Sequence, residues 1–313
     1  MSDLYTVADF VSDALDVSKT ETSTVLNQSP LVAQMPITDT ADGSETHKYN
    51  GYTQAPVVGF RAANTGRAYD HSVDTVATST CTILDFSFRV DYAVAQAWRQ
   101  GPENLIAREG LRHLAAALFK VEQQIFYGVT TPGDASGFAG LLGSSNYDAL
   151  ADPMVTGAGG TTASVQSSVW GLRLGEDDLK LVTPMDRGIV LGETIITEAN
   201  DDTTNGHPVY YTPGALYIGL QLGSTYSAGR IANLNGPTDS KGLTDDLISD
   251  LISEFPNHSK PTIICANRES IRDLQQSRTA TNMTGRPADF PAESFGYPVL
   301  TCESLVQTEA VET

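Results

Sequence analysis

Positive charge is scarce in this chain. Nineteen Lys and Arg face 38 Asp and Glu over 313 residues, a formal net charge of −19. No Lys/Arg cluster exists that could displace counterions from a nucleic-acid backbone, so a tight, direct DNA or RNA groove is excluded. The same charge argues against an anionic membrane surface. Cysteine is scarcer still. Cys81, Cys265 and Cys302 are far apart, odd in number and without a CxxC. That rules out a disulfide framework and fits a reducing compartment. Long apolar runs are also missing: no stretch approaches the roughly 20 residues of a membrane helix. The segment MSDLYTVADFVSDALDV carries acids and no apolar centre, so it does not read as a signal peptide. The protein is expected to be intracellular when made. With 40% hydrophobic and 18% charged residues, it reads as globular and rich in strands and loops.

Catalytic motifs are absent as well. GAGGTT, at 157–162, has glycines but no GK[ST] after it. GSTYSAG is not a nucleophile elbow. The five histidines, His47, His71, His113, His207 and His258, are scattered and match no metal-ligand spacing. His113 reads as solvent-facing on a helix, and Cys265 in IICAN as a buried small hydrophobe. The acidic pairs Asp177-Asp178, Asp201-Asp202 and Asp245-Asp246 fall in turns or at a helix start, where acids are ordinary. No catalytic residue, metal or cofactor is expected. If there were an enzyme here, its best candidates would be Cys265 and His258.

What is present is an order of elements. Residues 1–42 are polar and extended, with one amphipathic piece at Leu4, Val7, Ala8, Val11 and Leu15. So little apolar content cannot bury itself, so this arm is expected to lie on something else. Residues 43–92 read as two long strands around a polar tip. The return strand is placed at ILDFSFRVDY, where Leu84, Phe86, Phe88, Val90 and Tyr92 alternate with polar residues. Then comes GPENLIAREGLRHLAAALFKVEQQIFYG, a helix predicted over 102–127, started by Gly101-Pro102-Glu103 and stopped by Gly128. Ala107, Leu111, Leu114, Leu118, Val121 and Ile125 form its apolar stripe, with Arg108, Glu109, Arg112, Lys120 and Glu122 on the opposite face. A Gly-rich run, DASGFAGLLGSS, follows and reads as a close-packed turn. Several short strands lead to a helix capped by Thr244, the strand TIICA, a helix capped by Asn267 and a last strand in GYPVLTCESLV.

VEQQIFYG followed by GFAGL, SVWGLRLGEDDLKLVTPMDRGI, GRIANL, IICANRESIRDLQ and FGYPVLTCESL, in that order, carry a resemblance. The chain resembles major capsid proteins of tailed double-stranded DNA bacteriophages with the Hong Kong 97-like fold. The resemblance implies an α+β fold with an N-terminal arm (1–42), an E-loop β-hairpin (43–92), a peripheral domain holding the spine helix (93–235), and an α/β axial domain with the C-terminal strand (236–313). It implies self-assembly into hexamers and pentamers that form an icosahedral head around packaged DNA, with no sequence-specific DNA contact and no membrane. Portal, scaffolding and decoration proteins are implied partners, and assembly in the host cytoplasm is implied. Candidate assembly residues at the E-loop tip are Phe60, Arg61, Asn64, Arg67 and Tyr69. Spine packing falls to Leu111, Leu114, Leu118, Val121 and Ile125, and the axial domain offers Asn267, Arg268 and Arg272. Some members of the family crosslink an E-loop Lys to a neighbour's Asn. The tip here has no Lys, and Lys48 lies at the loop base, so no such crosslink is expected. The alternatives are an encapsulin-like shell with the same fold and, in another class, a hydrolase using Cys265 and His258.

Overall fold

The computed structural model describes residues 29–40, 43–67, 70–144, 146–184, 188–200, 206–282 and 286–313. The Leu4–Leu15 piece, Tyr69 and the Asp201-Asp202 pair lie outside them. The strands are β1 (Ile37–Asp39), β2 (Thr46–Gln54), β3 (Val73–Thr80), β4 (Thr82–Asp85), β5 (Phe88–Asp91), β6 (Val155–Gly157), β7 (Ser167–Leu172), β8 (Leu179–Thr183), β9 (Ile189–Leu191), β10 (Ile195–Asn200), β11 (Gly206–Thr212), β12 (Gly214–Leu222), β13 (Ala228–Leu234), β14 (Ile263–Ala266), β15 (Glu293–Ser294) and β16 (Tyr297–Thr301). The helices are α1 (Tyr92–Ala97), α2 (Pro102–Tyr127), α3 (Gly236–Asp239), α4 (Asp245–Glu254) and α5 (Arg268–Thr281).

Four sheets result. A six-stranded sheet runs β15-β16-β14-β7-β13-β6, and a second runs β1-β8-β12-β4 with β9 also on β12. The third is β10-β11-β5, and the fourth is the hairpin β2-β3 alone. The six-stranded sheet crosses the boundary expected at 235/236. β7 pairs with both β13 and β14, so strands from 155–172 and 228–234 share one sheet with the C-terminal strands. Every residue of β7, β13 and β14 is buried, and α4 covers one face through Ile248, Leu251 and Phe255. Glycines make that cover possible. A Cβ on Gly229 would meet Leu251 and Phe255 at 2.9 Å.

The hairpin differs from the sequence reading. The partner of β2 is β3, from Thr46↔Thr80 to Gln54↔Val73. The alternating ILDFSFRVDY stretch is not its return strand. It breaks into β4, which pairs with β12, and β5, which pairs with β11. The alternation itself is real: Phe86, Phe88 and Val90 are all buried. Period two reports a buried face, not the partner strand. The arm also needs correcting. Within it, Leu31 and Met35 are buried in the main core, and β1 pairs in parallel with β8. Residues 29–40 are therefore part of this subunit's own interior.

Helix α2 spans 26 residues, about 39 Å at ~1.5 Å per residue. It joins two cores of unequal size. Ala117, Val121, Ile125, Phe126 and Tyr127 enter the main core, while Leu105 packs with Phe88, Val90, Ala95 and Trp98 in a small one. The single stripe expected along its length is not what is buried. Leu111 is 70% exposed, Leu114 and Leu118 are half-buried, and Ala107 is exposed. His113, expected in solvent, is half-buried and stacks on Phe88 with ring centroids 5.1 Å apart. Arg108 lies over the Trp98 ring at 4.3 Å.

The helix stops at Gly128, whose φ of 54° and ψ of −126° suit only glycine. The GFAGL run then folds back against the helix end. Leu141 N–H donates to Ile125 O at 2.8 Å. The Gln124 amide donates to the carbonyls of Asp134 (3.0 Å) and Phe138 (2.7 Å) and accepts from Asp134 N–H (2.8 Å). A Cβ on Gly140 would lie 2.2 Å from Gln124 O and 2.5 Å from Gly128 N, backbone on both sides. Gly140→Ala is therefore expected to cost about 2–4 kcal/mol by overpacking against atoms that cannot move aside. Gly143, with nothing nearer than 3.9 Å to an added Cβ, is the control. Urea unfolding of unassembled protein reads both; equal stability for the two variants would refute the close-packing account.

Candidate functional site

Two kinds of site emerge: a buried polar clamp that holds the subunit together, and surfaces that no described residue covers. The clamp sits where the end of α2, the six-stranded sheet and the C-terminal tail meet. Arg230, 1% exposed in the middle of β13, donates from Nη2 to Glu309 Oε2 (2.9 Å) and from Nε to Ser168 Oγ (2.8 Å). Its Nη1 reaches Glu312 Oε1 (2.9 Å) and the Tyr147 carbonyl (3.0 Å). Glu309 also accepts from Ser168 Oγ, and its Oε1 accepts from Tyr127 Oη at 2.6 Å. Tyr127 Oη in turn accepts from Val306 N–H at 3.0 Å. Burial and the adjacent Glu309 push the Tyr127 hydroxyl well above the usual tyrosine range. It therefore stays protonated and remains a donor.

Glu122 is the second half of the clamp and a correction. Expected on the solvent face of α2, it is 0% exposed. Its Oε2 accepts from Leu31 N–H at 3.0 Å and its Oε1 from Ser304 Oγ at 2.6 Å. Burial pushes its carboxyl up, and the bonds from Ser304, Leu31, Val32 and Cys302 pull it partly back. One side chain thus ties the N-terminal segment to the C-terminal tail. The missed residues left a faint sign in the sequence. AGRIANL places one arginine in an otherwise apolar and small strand, and VEQQIFY sets Glu122 beside Val121, Ile125 and Phe126. Such contexts bury whatever charge they contain, and a buried charge needs a partner.

The exposed surfaces begin with the hairpin tip, residues 55–72. Phe60 stands fully in solvent, and Arg61 and Asn64 are exposed. The polar contacts at the tip are local, such as Arg61 Nη1 to Thr65 O at 3.3 Å. Of the axial residues, Asn267 is buried and caps α5 by accepting from Ser270 N–H at 2.8 Å. Arg268 lies 3.8 Å from Glu303, and Arg272 pairs with Asp273 at 2.9 Å. Asn267 thus builds the fold, while the two arginines remain at the surface.

The chemistry-bearing motifs are spent on structure. In GAGGTT, Thr161 N–H and Thr162 N–H donate to Asp239 Oδ2 at 2.9 and 3.1 Å, and Thr162 Oγ1 to Oδ1 at 2.6 Å. An internal carboxylate occupies the donors a phosphate would need, and these bonds, that of Thr162 Oγ1 foremost, hold the Asp239 carboxyl well below the usual range. Asp178 pairs with Arg173 at 2.8 Å, and Asp245 takes two bonds from Arg278 at 2.7 and 2.6 Å. Cys265 is buried on β14 against Cys302, whereas His258 is exposed. Among the described residues there is no group of His, Cys, Asp and Glu suited to a metal, and no helix is long and apolar enough to cross a membrane.

A family model for the major capsid protein GP7 matches residues 19–312. The chain belongs to that family. It is a structural shell protein of a tailed bacteriophage, and its place is the virion capsid, where copies associate with one another. A chain from the structure of bacteriophage epsilon15 superposes with a TM-score of 0.70 at 18% identity, covering 100% of this chain and 98% of that one. A chain from the capsid of bacteriophage JBD30 decorated with minor capsid protein trimers gives a TM-score of 0.50 at 11% identity, covering 95% and 98%. The fold is therefore the Hong Kong 97-like α+β capsid fold. The SrpI encapsulin of Synechococcus elongatus gives a TM-score of 0.45 at 11% identity over 73% of this chain and 96% of that one, a likeness too loose to bear on function. No curated relative matches in sequence.

Removing one partner of the clamp leaves an uncompensated buried charge. Arg230→Ala in the capsid protein is expected to cost about 3–5 kcal/mol. Arg230→Met combined with Glu309→Gln should cost less, since the one charge left without its partner, Glu312, is partly exposed; denaturant unfolding that ranks them the other way would refute the clamp.

Glu122 adds a pH dependence. Its folded carboxyl titrates above its unfolded one, near ~4.3, so the folded state binds the extra proton. Its contribution is intact below the unfolded pKa and is lost as pH rises through the folded one. The melting temperature of Glu122→Gln minus that of wild type should therefore become more positive from pH 4 to pH 8. A difference constant across that range would remove Glu122 as the titrating group.

Proposed function

We propose that copies of this capsid protein form hexamers and pentamers that close an icosahedral head around double-stranded DNA, with no enzymatic step of their own. The hairpin β2-β3 carries the reading. A two-stranded ribbon with an exposed tip is marginal alone in water, and among the described residues β2 and β3 pair only with each other. Its tip keeps Val57, Val58 and Phe60 in solvent. Such a ribbon makes sense as a strap lying over a neighbouring copy, the role of an E-loop. The six-stranded sheet with α4 and α5 serves as the axial domain and takes in 155–172 and 228–234. The peripheral part is then α2 with the β10-β11-β5 sheet. The acidic balance suits a shell lining that must not trap the DNA entering it. Portal, scaffolding and decoration proteins complete the head, and assembly takes place in the host cytoplasm.

Negative-stain imaging of purified protein is expected to show closed shells or rings of six and five. Protein that stays monomeric under all conditions, including with its scaffold supplied, would overturn the reading. Replacing residues 57–71 by a short Gly-Ser linker should abolish rings while shifting the melting temperature of unassembled protein by less than about 3 °C. Removing residues 1–28 serves as the companion test of the arm. The cut is placed there because Leu31 belongs to the core.

A further inference from the structure

One apolar segment has no core over it among the described residues. Ile189, Val190, Leu191, Ile195 and Ile196 are 42–61% exposed, all within eight residues of chain. Among the described residues β10 is the outer strand of its sheet and pairs with β11 only. Open backbone groups beside exposed aliphatic side chains form an edge that soluble proteins keep covered. The two charged residues of Gly188–Asn200 are both acids, Glu193 and Glu198. Both are exposed, and no ion pair reaches either among the described residues.

The hairpin tip has the opposite character. Val57, Val58 and Phe60 are 64%, 83% and 109% exposed. Arg61 and Arg67 are the only Lys or Arg between Lys48 and Arg89. Neither is in an ion pair among the described residues. The tip's acid, Asp70, accepts from the neighbouring His71 N–H at 2.9 Å.

We propose that the hairpin tip of one copy docks on the β9–β10 patch of a second copy. Val58 and Phe60 cover Ile196, which alternation places on the same face of β10 as Glu198, and Arg61 and Arg67 face Glu193 and Glu198. The proposal rests on the shell reading and adds to it the identity of the socket. The contact is heterologous: every copy offers one tip and one patch, so it repeats head to tail and closes where the rotation allows. In a chain with 38 acids against 19 bases, most copy-to-copy approaches are repulsive. Two arginines carried out on an apolar tip select an acidic, apolar patch from the rest of the surface.

Charge reversal tests it. Arg61→Glu with Arg67→Glu, and separately Glu193→Lys with Glu198→Lys, should each lower the yield of rings and shells about tenfold or more, because like charges then face each other. Melting temperatures of the unassembled variants should stay near wild type. The chain carrying all four reversals should regain assembly. As an independent readout, Ala62→Cys with Thr194→Cys should give a ladder of disulfide-linked copies on a non-reducing gel after mild oxidation. The native cysteines are buried and add no background. Wild-type assembly by the patch reversal, or a missing rescue together with a missing ladder, would overturn the proposal. Failure of the shell reading looks different, since wild type would then form no ring at all. The cysteine ladder, read on concentrated protein without need of a closed shell, would still decide the docking.

Discussion

The buried guanidinium of Arg230 is the constraint around which this subunit is arranged. A desolvated charge in the middle of a strand is costly unless it is surrounded by acceptors. Here they come from three places: Ser168 on the neighbouring strand, the Tyr147 carbonyl from the loop after the long helix, and Glu309 and Glu312 from the tail. Satisfying that one charge sets where the tail lies. The tail then brings Ser304 to Glu122 and Val306 to Tyr127, and Glu122 holds the segment at Leu31. Both ends of the described chain are thus fastened to the last two turns of one helix.

That division of labour leaves the rest of the surface free for contact. The loop after the helix is closed by glycines and by the Gln124 amide. The apparent phosphate motif is filled by Asp239. Among the described residues, exposed apolar side chains include those of the hairpin tip, the β9–β10 segment and Leu111 in the middle of the helix. A protein whose polar motifs are consumed internally, and whose acidic surface carries exposed apolar patches, is suited to meeting copies of itself at those patches.

Much of this was legible in the sequence, in places where the signal is local. Gly101-Pro102 and Gly128 mark the ends of the long helix, and Thr244 and Asn267 mark helix starts by side-chain capping. Those signals depend on a few adjacent residues. Partner choice does not. The alternation from Leu84 to Tyr92 shows a buried face, yet it divides between two sheets because β11 and β12 claim its two halves. Period and stripe likewise misassigned Glu122 and Leu111. A helix that passes between two cores is buried on different sides along its length, and a single stripe cannot express that. At the candidate surfaces, Phe60, Arg61 and Arg67 were legible as residues without a core. The patch from Ile189 to Ile196 was not, since an aliphatic run reads as a buried strand until the fold shows nothing on top of it.

The long sequence separation inside the clamp has a consequence for synthesis. Glu309 follows Arg230 by 79 residues and Tyr127 by 182. At about 5–20 residues per second, the counter-charge of Arg230 leaves the ribosome roughly 4–16 s after the arginine does. Until then the interior of β13 carries a cation without its carboxylate, and the end of the long helix lacks Ser304 and Glu309. A nascent chain cannot finish its core early. A translation product that stops short of Glu309 keeps the uncompensated charge, and its deficit of about 3–5 kcal/mol is a large part of the whole stability of a typical domain. The clamp therefore makes the stability of the subunit depend on its tail having been made.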